Sequence, residues 1–300
     1  MRDTRPTTND GGDPVAPRAV RLVVPATVTT EGQGVVVHRP FPGKGHPDAD
    51  PFLLLDHLGP VSVEPGRSGG FPDHPHAGFE VVSYVLQGGL EHRDSRGNHG
   101  ILGPGDVQWM TTGAGLVHSE MPAGALAEQG GVLEAVQLWV NLPAREKRSE
   151  PGYGDIRGHT IPVATAPDGR ASARVISGES HGVRHTLGLR TSITYLHWTI
   201  EPGARVVQPL PDGTVAMAYV LGGAGDFGPH GIRGGVDSLV LFAGDRGPVL
   251  LEAAGGTDAL SVLVLAGVPL REPVARYGPF VMNTMDEIKQ LITAYRGGAL

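Results

Sequence analysis

The sequence predicts an all-β chain: two antiparallel β-barrels in tandem, followed by one short C-terminal α-helix. Three observations carry this. Glycine and proline are abundant, 46 and 26 of 300 residues, and they punctuate short apolar runs such as Gly34-Val35-Val36-Val37, Phe52-Leu53-Leu54-Leu55 and Gly131-Val132-Leu133. Short Val/Ile/Leu-rich runs between frequent turn signals read as strands of a sandwich or barrel. The pattern also repeats. Ser83-Tyr84-Val85-Leu86-Gln87-Gly88 matches Ala218-Tyr219-Val220-Leu221-Gly222-Gly223 at an offset of 135, and Pro104-Gly105-Asp106 matches Ala243-Gly244-Asp245 at an offset of 139. Repetition on that scale implies two units of similar build.

The elements follow in order. Residues 1–17 read as a disordered tail, polar and rich in Gly and Pro. Residues 18–150 are assigned to a first barrel and 151–283 to a second, with the linker expected in the Pro/Gly/charge-rich stretch from about Pro143 to Gly169. Residues 284–300 form the helix and its tail. Thr284-Met285-Asp286-Glu287 is a capping box, Thr at the N-cap and Glu at N3, with acid in the first turn. Ile288, Leu291, Ile292 and Tyr295 then recur at helical spacing, and Gly297-Gly298 stops the helix. This amphipathic helix is expected to dock on the barrel that the chain has just completed.

Composition narrows the function classes. A net charge of −7 and a pI near 6.0 describe a mildly acidic protein without the basic footprint of a nucleic-acid binder. Cysteine is absent, so disulfides and metal–thiolate sites are excluded, and any metal must sit on His, Asp, Glu or backbone oxygen. The longest apolar run, about Ala259 to Leu270, is too short for a membrane span and holds Ser261 and Pro269. The amino terminus leads into polar sequence without an apolar stretch, and a cytoplasmic protein is the expectation.

The chemistry-bearing feature is Asp73-His74-Pro75-His76, followed about forty positions later by His118-Ser119-Glu120. Each half places two metal-binding side chains at i and i+2. On a strand such residues share a face, roughly 6.5–7 Å apart along the backbone. Two strands giving two ligands each supply three imidazoles and one carboxylate, a set that suits a first-row metal. Pro75 cannot donate to a ladder, which places it at a strand start or rim, where an open site would lie. Strand parity leaves the carboxylate open, because Glu80 shares the face of His76 as Glu120 shares that of His118. His57, His92 and His99 are candidates for partners that fix a ligand tautomer, with structural or surface roles as the plainer reading. Trp109 and Met110 read as core. Thr111-Thr112-Gly113-Ala114-Gly115 reads equally as a tight turn or as a small-residue loop leaving room for substrate. Asp94-Ser95-Arg96-Gly97-Asn98 reads as a hairpin turn. At constant offset, His74, His76 and Glu80 fall on Pro209, Pro211 and Val215, and His118 and Glu120 fall near Asp258 and Leu260. One metal per chain is therefore expected, in the first barrel.

Several segments together resemble the pirins, a bicupin family. They are Phe71-Pro72-Asp73-His74-Pro75-His76-Ala77-Gly78-Phe79-Glu80, Glu91-His92-Arg93-Asp94-Ser95, Gly103 through Met110, and His118-Ser119-Glu120. Asp50 through His57, Leu138 through Arg145 and Gly278 through Thr284 are similar too, so the likeness runs over roughly residues 20–298. The resemblance implies two antiparallel cupin barrels and a single non-haem iron, Fe(II), held by His74, His76, His118 and Glu120, which favours Glu120 over Glu80. Mn, Ni, Cu or Zn would also accept this donor set. Some pirins open the flavonol quercetin with O₂, with Glu120 then the candidate catalytic base. Others are regulatory proteins that bind a protein partner, and iron-dependent redox sensing is the alternative reading. The expected ligands are thus a small aromatic or flavonol substrate and O₂, or a protein partner, without direct nucleic-acid or membrane binding.

Overall fold

A computed structural model of the chain describes residues 15–43, 49–66, 69–298 and 300. The strands in chain order begin with β1 (Val20–Pro25), β2 (Thr27–Glu31), β3 (Val35–Phe41), β4 (Phe52–Val63), β5 (Phe71–His76) and β6 (Phe79–Gln87). They continue with β7 (Leu90–Asp94), β8 (His99–Leu102), β9 (Val107–Thr111), β10 (Leu116–Pro122), β11 (Gly131–Asn141) and β12 (Gly152–Ile156). Then come β13 (Val163–Thr165), β14 (Ala171–Ser180), β15 (Val183–His185), β16 (Ile193–Ile200), β17 (Arg205–Gln208) and β18 (Val215–Gly222). The last are β19 (Ala224–Phe227), β20 (Ile232–Gly235), β21 (Ser238–Phe242), β22 (Val249–Ala253), β23 (Leu260–Gly267), β24 (Ala275–Tyr277) and β25 (Phe280–Met282). The α-helices are α1 (Gly124–Gln129) and α2 (Met285–Arg296). The predicted all-β class, with a short C-terminal helix, is what forms.

The chain divides into two compact units. The amino-terminal unit comprises Thr27–Thr160, Leu187–Thr191 and Leu270–Leu300. It has a seven-stranded sheet, β12-β9-β6-β11-β4-β3-β2, and a four-stranded sheet, β5-β10-β7-β8, all antiparallel. Val37, Leu58, Val85 and Ala135 of the larger sheet pack with Leu90 and Leu102 of the smaller to form an apolar core. A second cluster, including Phe79, Met110, Leu116 and Trp139, lies towards the end that carries His76.

The carboxy-terminal unit comprises the stretch up to Ala26, Ile161–Thr186 and Ser192–Pro269. It repeats the plan with β1-β21-β18-β23-β16-β14-β13 and the four-stranded β17-β22-β19-β20. Its core runs from Ala173 and Trp198 through Val206, Val240, Leu251 and Val264.

These units differ from the expected boundaries at both ends. β1 belongs to the carboxy-terminal unit, because its backbone pairs with β21, Val24 against Leu239. Buried Arg18 fixes that segment by donating to the carbonyls of Gly247, Thr214, Pro211 and Asp245 and to Thr214 Oγ1. The expected boundary at 150/151 moves to Thr160/Ile161, since β12 extends the first sheet by pairing with β9. The tail expected over residues 1–17 lies largely outside the described residues.

The helix α2 starts as predicted. Thr284 Oγ1 accepts the N–H of Glu287, and the Glu287 carboxylate accepts the N–H of Thr284. Its docking partner differs from the expectation. Ile288 and Leu291 pack on Ala77, Phe280 and Met282 of the amino-terminal unit, because β25 runs beside the Ala77 backbone and carries the helix with it.

The counterparts of the candidate metal-binding positions also shift. In the carboxy-terminal unit the pair corresponding to β5/β10 is β17/β22, with Gln208 opposite Val249 and Val206 opposite Leu251. The positions facing that interior are therefore Val206, Gln208, Leu251 and Ala253, not Pro209, Pro211, Asp258 and Leu260; turns of different length break a constant offset. Val206, Leu251 and Ala253 are core residues, and the ligand set is absent there.

Candidate metal centre

β5 is the edge strand of the smaller sheet and pairs only with β10, so Pro75 sits where no second neighbour needs its missing N–H. The ladder sets His118 opposite His74, and Leu116 opposite His76, with an irregularity before Glu120 meets Phe71. Alternate residues of β10, namely Leu116, His118, Glu120 and Pro122, are buried, so His118 and Glu120 face inward together.

The three imidazoles converge. His74, His76 and His118 each bring one ring nitrogen to within 4.8 Å of the others. His74 Nε2 and His76 Nε2 are 3.1 Å apart. His74 Nδ1 donates to the carbonyl of Pro72 at 2.8 Å, and His76 Nδ1 faces that of Pro279 at 3.4 Å. A neutral imidazole that donates from Nδ1 carries its lone pair on Nε2. His118 Nε2 is buried and has no hydrogen-bond partner. Three lone pairs aimed at one point, one of them a buried orphan, fit a cation and little else. Burial, and then the neighbouring imidazoles, hold His76 and His118 well below the ordinary histidine value, keeping both rings neutral donors. The wall is apolar: Phe79 and Trp139 stack at 4.2 Å between centroids, and His76 meets the Trp139 ring edge-on at 5.0 Å.

Glu120 is buried and is not part of the converging trio. Its Oε1 accepts from Ser83 Oγ at 2.8 Å and its Oε2 from Gln137 Nε2 at 2.7 Å. Ser83 and Gln137 are a cross-strand pair on β6 and β11, so one register position grips both oxygens. Each oxygen keeps a further lone pair. A narrow apolar pocket, with Leu58, Phe71, Leu90 and Val136 in its walls, reaches this carboxylate.

Glu80 is committed elsewhere. Its carboxylate accepts from Thr111 Oγ1 and from the backbone N–H groups of Arg190 and Thr191. Burial raises its carboxyl above the ordinary value against the pull of those donors. Its partners identify it as a tether for the segment Leu187–Thr191.

The remaining candidates separate. His57 pairs with Glu134 at 3.0 Å and His99 with Glu91 at 2.9 Å, both away from the trio. His92 lies beside His118, Nδ1 to Nδ1 at 3.4 Å. Met110 is core, and Trp109 packs over Gly154 and Gly188, where any side chain would strike its ring. Thr111–Gly115 is a tight turn with positive φ at Gly113 and Gly115. Ser83, Gln137, Pro279 and Thr191 escaped sequence reasoning. The available signal for the first two was a polar residue set between apolar or aromatic neighbours, Ser83 between Val82 and Tyr84 and Gln137 between Val136 and Leu138.

Comparison with known proteins bears on this geometry. The Pirin family model matches residues 34–140, and the Pirin C-terminal cupin domain model matches residues 195–300. Human Pirin is 41% identical over 283 residues, covering 93% of this chain and 92% of that protein. The chain belongs to the pirin family. Among solved structures, a quercetin 2,3-dioxygenase from Acinetobacter baumannii superposes with a TM-score of 0.88 at 32% identity, covering 94% of this chain and 98% of that one. The bacterial pirin YhhW from Escherichia coli, solved in complex with nickel(II), shares the fold at a TM-score of 0.58 and 20% identity, covering 83% of this chain and 99% of that one. Both the family and the two-barrel cupin fold therefore agree with what the motifs implied. Among the described residues no helix is long and apolar enough to cross a membrane.

Proposed function

We propose that the chain holds one Fe(II) ion at His74, His76, His118 and Glu120 and opens flavonols such as quercetin with O₂, releasing one ring carbon as carbon monoxide. The observation that carries the reading is the convergence of one ring nitrogen from each of His74, His76 and His118, with His118 Nε2 buried and unpartnered. The likeness to a quercetin 2,3-dioxygenase at 32% identity over nearly the whole chain supports the substrate class.

Bound iron supplies the Lewis acidity and one-electron chemistry that O₂ requires. The chain's own residues do the rest. His74 and His76 present Nε2 because Pro72 and Pro279 occupy their Nδ1 atoms. Ser83 and Gln137 hold Glu120 in one orientation, and its remaining lone pairs serve the ion and the flavonol 3-hydroxyl proton. Phe79 and Trp139 exclude water beside His76.

The test is anaerobic loading with Fe(II), followed by quercetin and air-saturated buffer. Many turnovers of flavonol loss, absent from metal-free protein and from His118→Ala, are expected. Loss that ignores the metal, or none, defeats the enzymatic reading. A metal-dependent protein partner without turnover is then the reading that stands.

A further inference from the structure

The third imidazole is oriented differently from the other two. His74 and His76 lean on backbone carbonyls, whereas His118 Nδ1 faces His92 Nδ1 at 3.4 Å. His92 Nε2 in turn faces Asp94 Oδ2, also at 3.4 Å. All three side chains are buried, and β7 lies against β10 with His92 opposite Glu120 and Asp94 opposite His118.

Asp94 belongs to an exposed turn and organises it. Its Oδ1 accepts the backbone N–H groups of Arg96 and Asn98, both at 2.9 Å, and its Oδ2 accepts Asn98 Nδ2 at 2.8 Å. The same turn is stapled to the neighbour of His118: Ser95 N–H donates to the Val117 carbonyl, and Val117 N–H donates to Ser95 Oγ.

For a neutral His92, the protons along this line have one consistent placement. A carboxylate gripped by three N–H donors is an acceptor only, so His92 Nε2 must carry the proton that faces it. Neutral His92 then has its lone pair on Nδ1. Two facing Nδ1 atoms need one proton between them, and His118 is the ring that supplies it. His118 is thereby the Nδ1–H tautomer, with the Nε2 lone pair left for the cation.

We propose that His92 and Asp94 are positioning residues of the metal centre: Asp94 selects the tautomer of His92, His92 selects that of His118, and the exposed turn Asp94–Asn98 is the outer support of the third ligand. This rests on reading His74, His76 and His118 as a metal site. The competing account is packing alone, since the His92 ring also lies at 5.0 Å and 32° to Tyr153.

Two measurements separate these. Long-range ¹⁵N–¹H correlation of the imidazoles in metal-free protein reads the tautomers directly. Protonated Nδ1 on His118 and protonated Nε2 on His92 are expected, and His118 protonated at Nε2 overturns the proposal whatever any variant does. Binding of Co(II), followed by titration calorimetry and the visible d–d bands, is the second. His92→Phe keeps a ring against Tyr153 and removes both nitrogens; it is expected to weaken Co(II) ten- to a hundredfold and to shift the bands. His92→Gln, which can still accept from His118 Nδ1–H, is expected to recover most of the affinity. Wild-type affinity within twofold in folded His92→Phe defeats the proposal. If His92→Phe fails to fold, Asp94→Asn replaces it, with a loss of at least fivefold expected and unchanged binding counting against. Wild type that binds no Co(II) defeats the metal reading, while the tautomer spectrum still decides this one.

Discussion

The carboxylate of Glu80 accepts the backbone N–H of Thr191 at 3.0 Å, across 111 residues of sequence. That bond and its companion from Arg190 make Glu80 the anchor of a connecting segment rather than a side chain waiting for an ion. Glu120, which among the described residues accepts from the neutral side chains of Ser83 and Gln137, has the freer electron pairs.

The two carboxylates should therefore respond in opposite ways. Glu80→Ala leaves two backbone donors without an acceptor and is expected to lower unfolding free energy by about 2–4 kcal/mol, with Co(II) affinity nearly unchanged. Glu120→Gln should do the reverse, weakening metal binding at least tenfold with a small change in the urea midpoint. A Glu80→Gln variant that loses metal while Glu120→Gln keeps it would reassign the ligand.

Metal removal should also register in stability. A cation that binds only the folded trio raises stability by about 2.7 kcal/mol at a hundredfold excess over its Kd. Thermal unfolding with and without a chelator should thus differ by several degrees in wild type. In His118→Ala the two curves should coincide. A persistent difference in that variant places the stabilising cation elsewhere.

Lys147 offers a pH signature independent of the metal. Its ammonium is buried, donating to the Gly78 carbonyl, Asn141 Oδ1 and the Val281 carbonyl, with no carboxylate in contact among the described residues. Burial pulls its pKa down to about 8. Because the unfolded chain keeps the ordinary lysine value near 10.5, unfolding takes up a proton between pH 8 and 10.5. Stability contributed at this position therefore rises with pH across that window and is lowest below pH 8. One proton gives a limiting slope of about 1.4 kcal/mol per pH unit. Urea unfolding of wild type and Lys147→Met at pH 7.5 and 9.5 checks it. The wild type should gain on the variant as pH rises, and a constant difference rejects the assignment.

How much of this was legible beforehand depends on how local each signal is. His74, His76 and His118 could be read because strand parity forces i and i+2 onto one face. The start of α2 could be read because the Thr284–Glu287 box closes within one turn. The choice between Glu80 and Glu120 could not be read from parity, because the deciding partners, Thr191 and Gln137, arrive through tertiary contacts. The partner of β1 was hidden for the same reason: Val20–Pro25 looks like any short strand, and only the β21 edge tells it where to pair. The role of His92 became visible only when β7 was laid against β10.

Arg18 gives that long-range pairing a test. Its buried guanidinium donates to four carbonyls and one hydroxyl in the loops around Pro211–Thr214 and Asp245–Gly247. Burial lowers its pKa, with Asp245 and Asp212 opposing, so the desolvated charge depends on those acceptors. Arg18→Met removes the charge but strands buried carbonyls, and we expect a loss of at least about 2 kcal/mol confined to the carboxy-terminal unit. Hydrogen exchange should quicken in β1, β21 and the Pro211–Thr214 loop, while the amides of β5 and β10 and the Co(II) affinity stay as in wild type. Faster exchange at β5 and β10, or weaker Co(II) binding, means that the amino-terminal unit depends on this clamp after all.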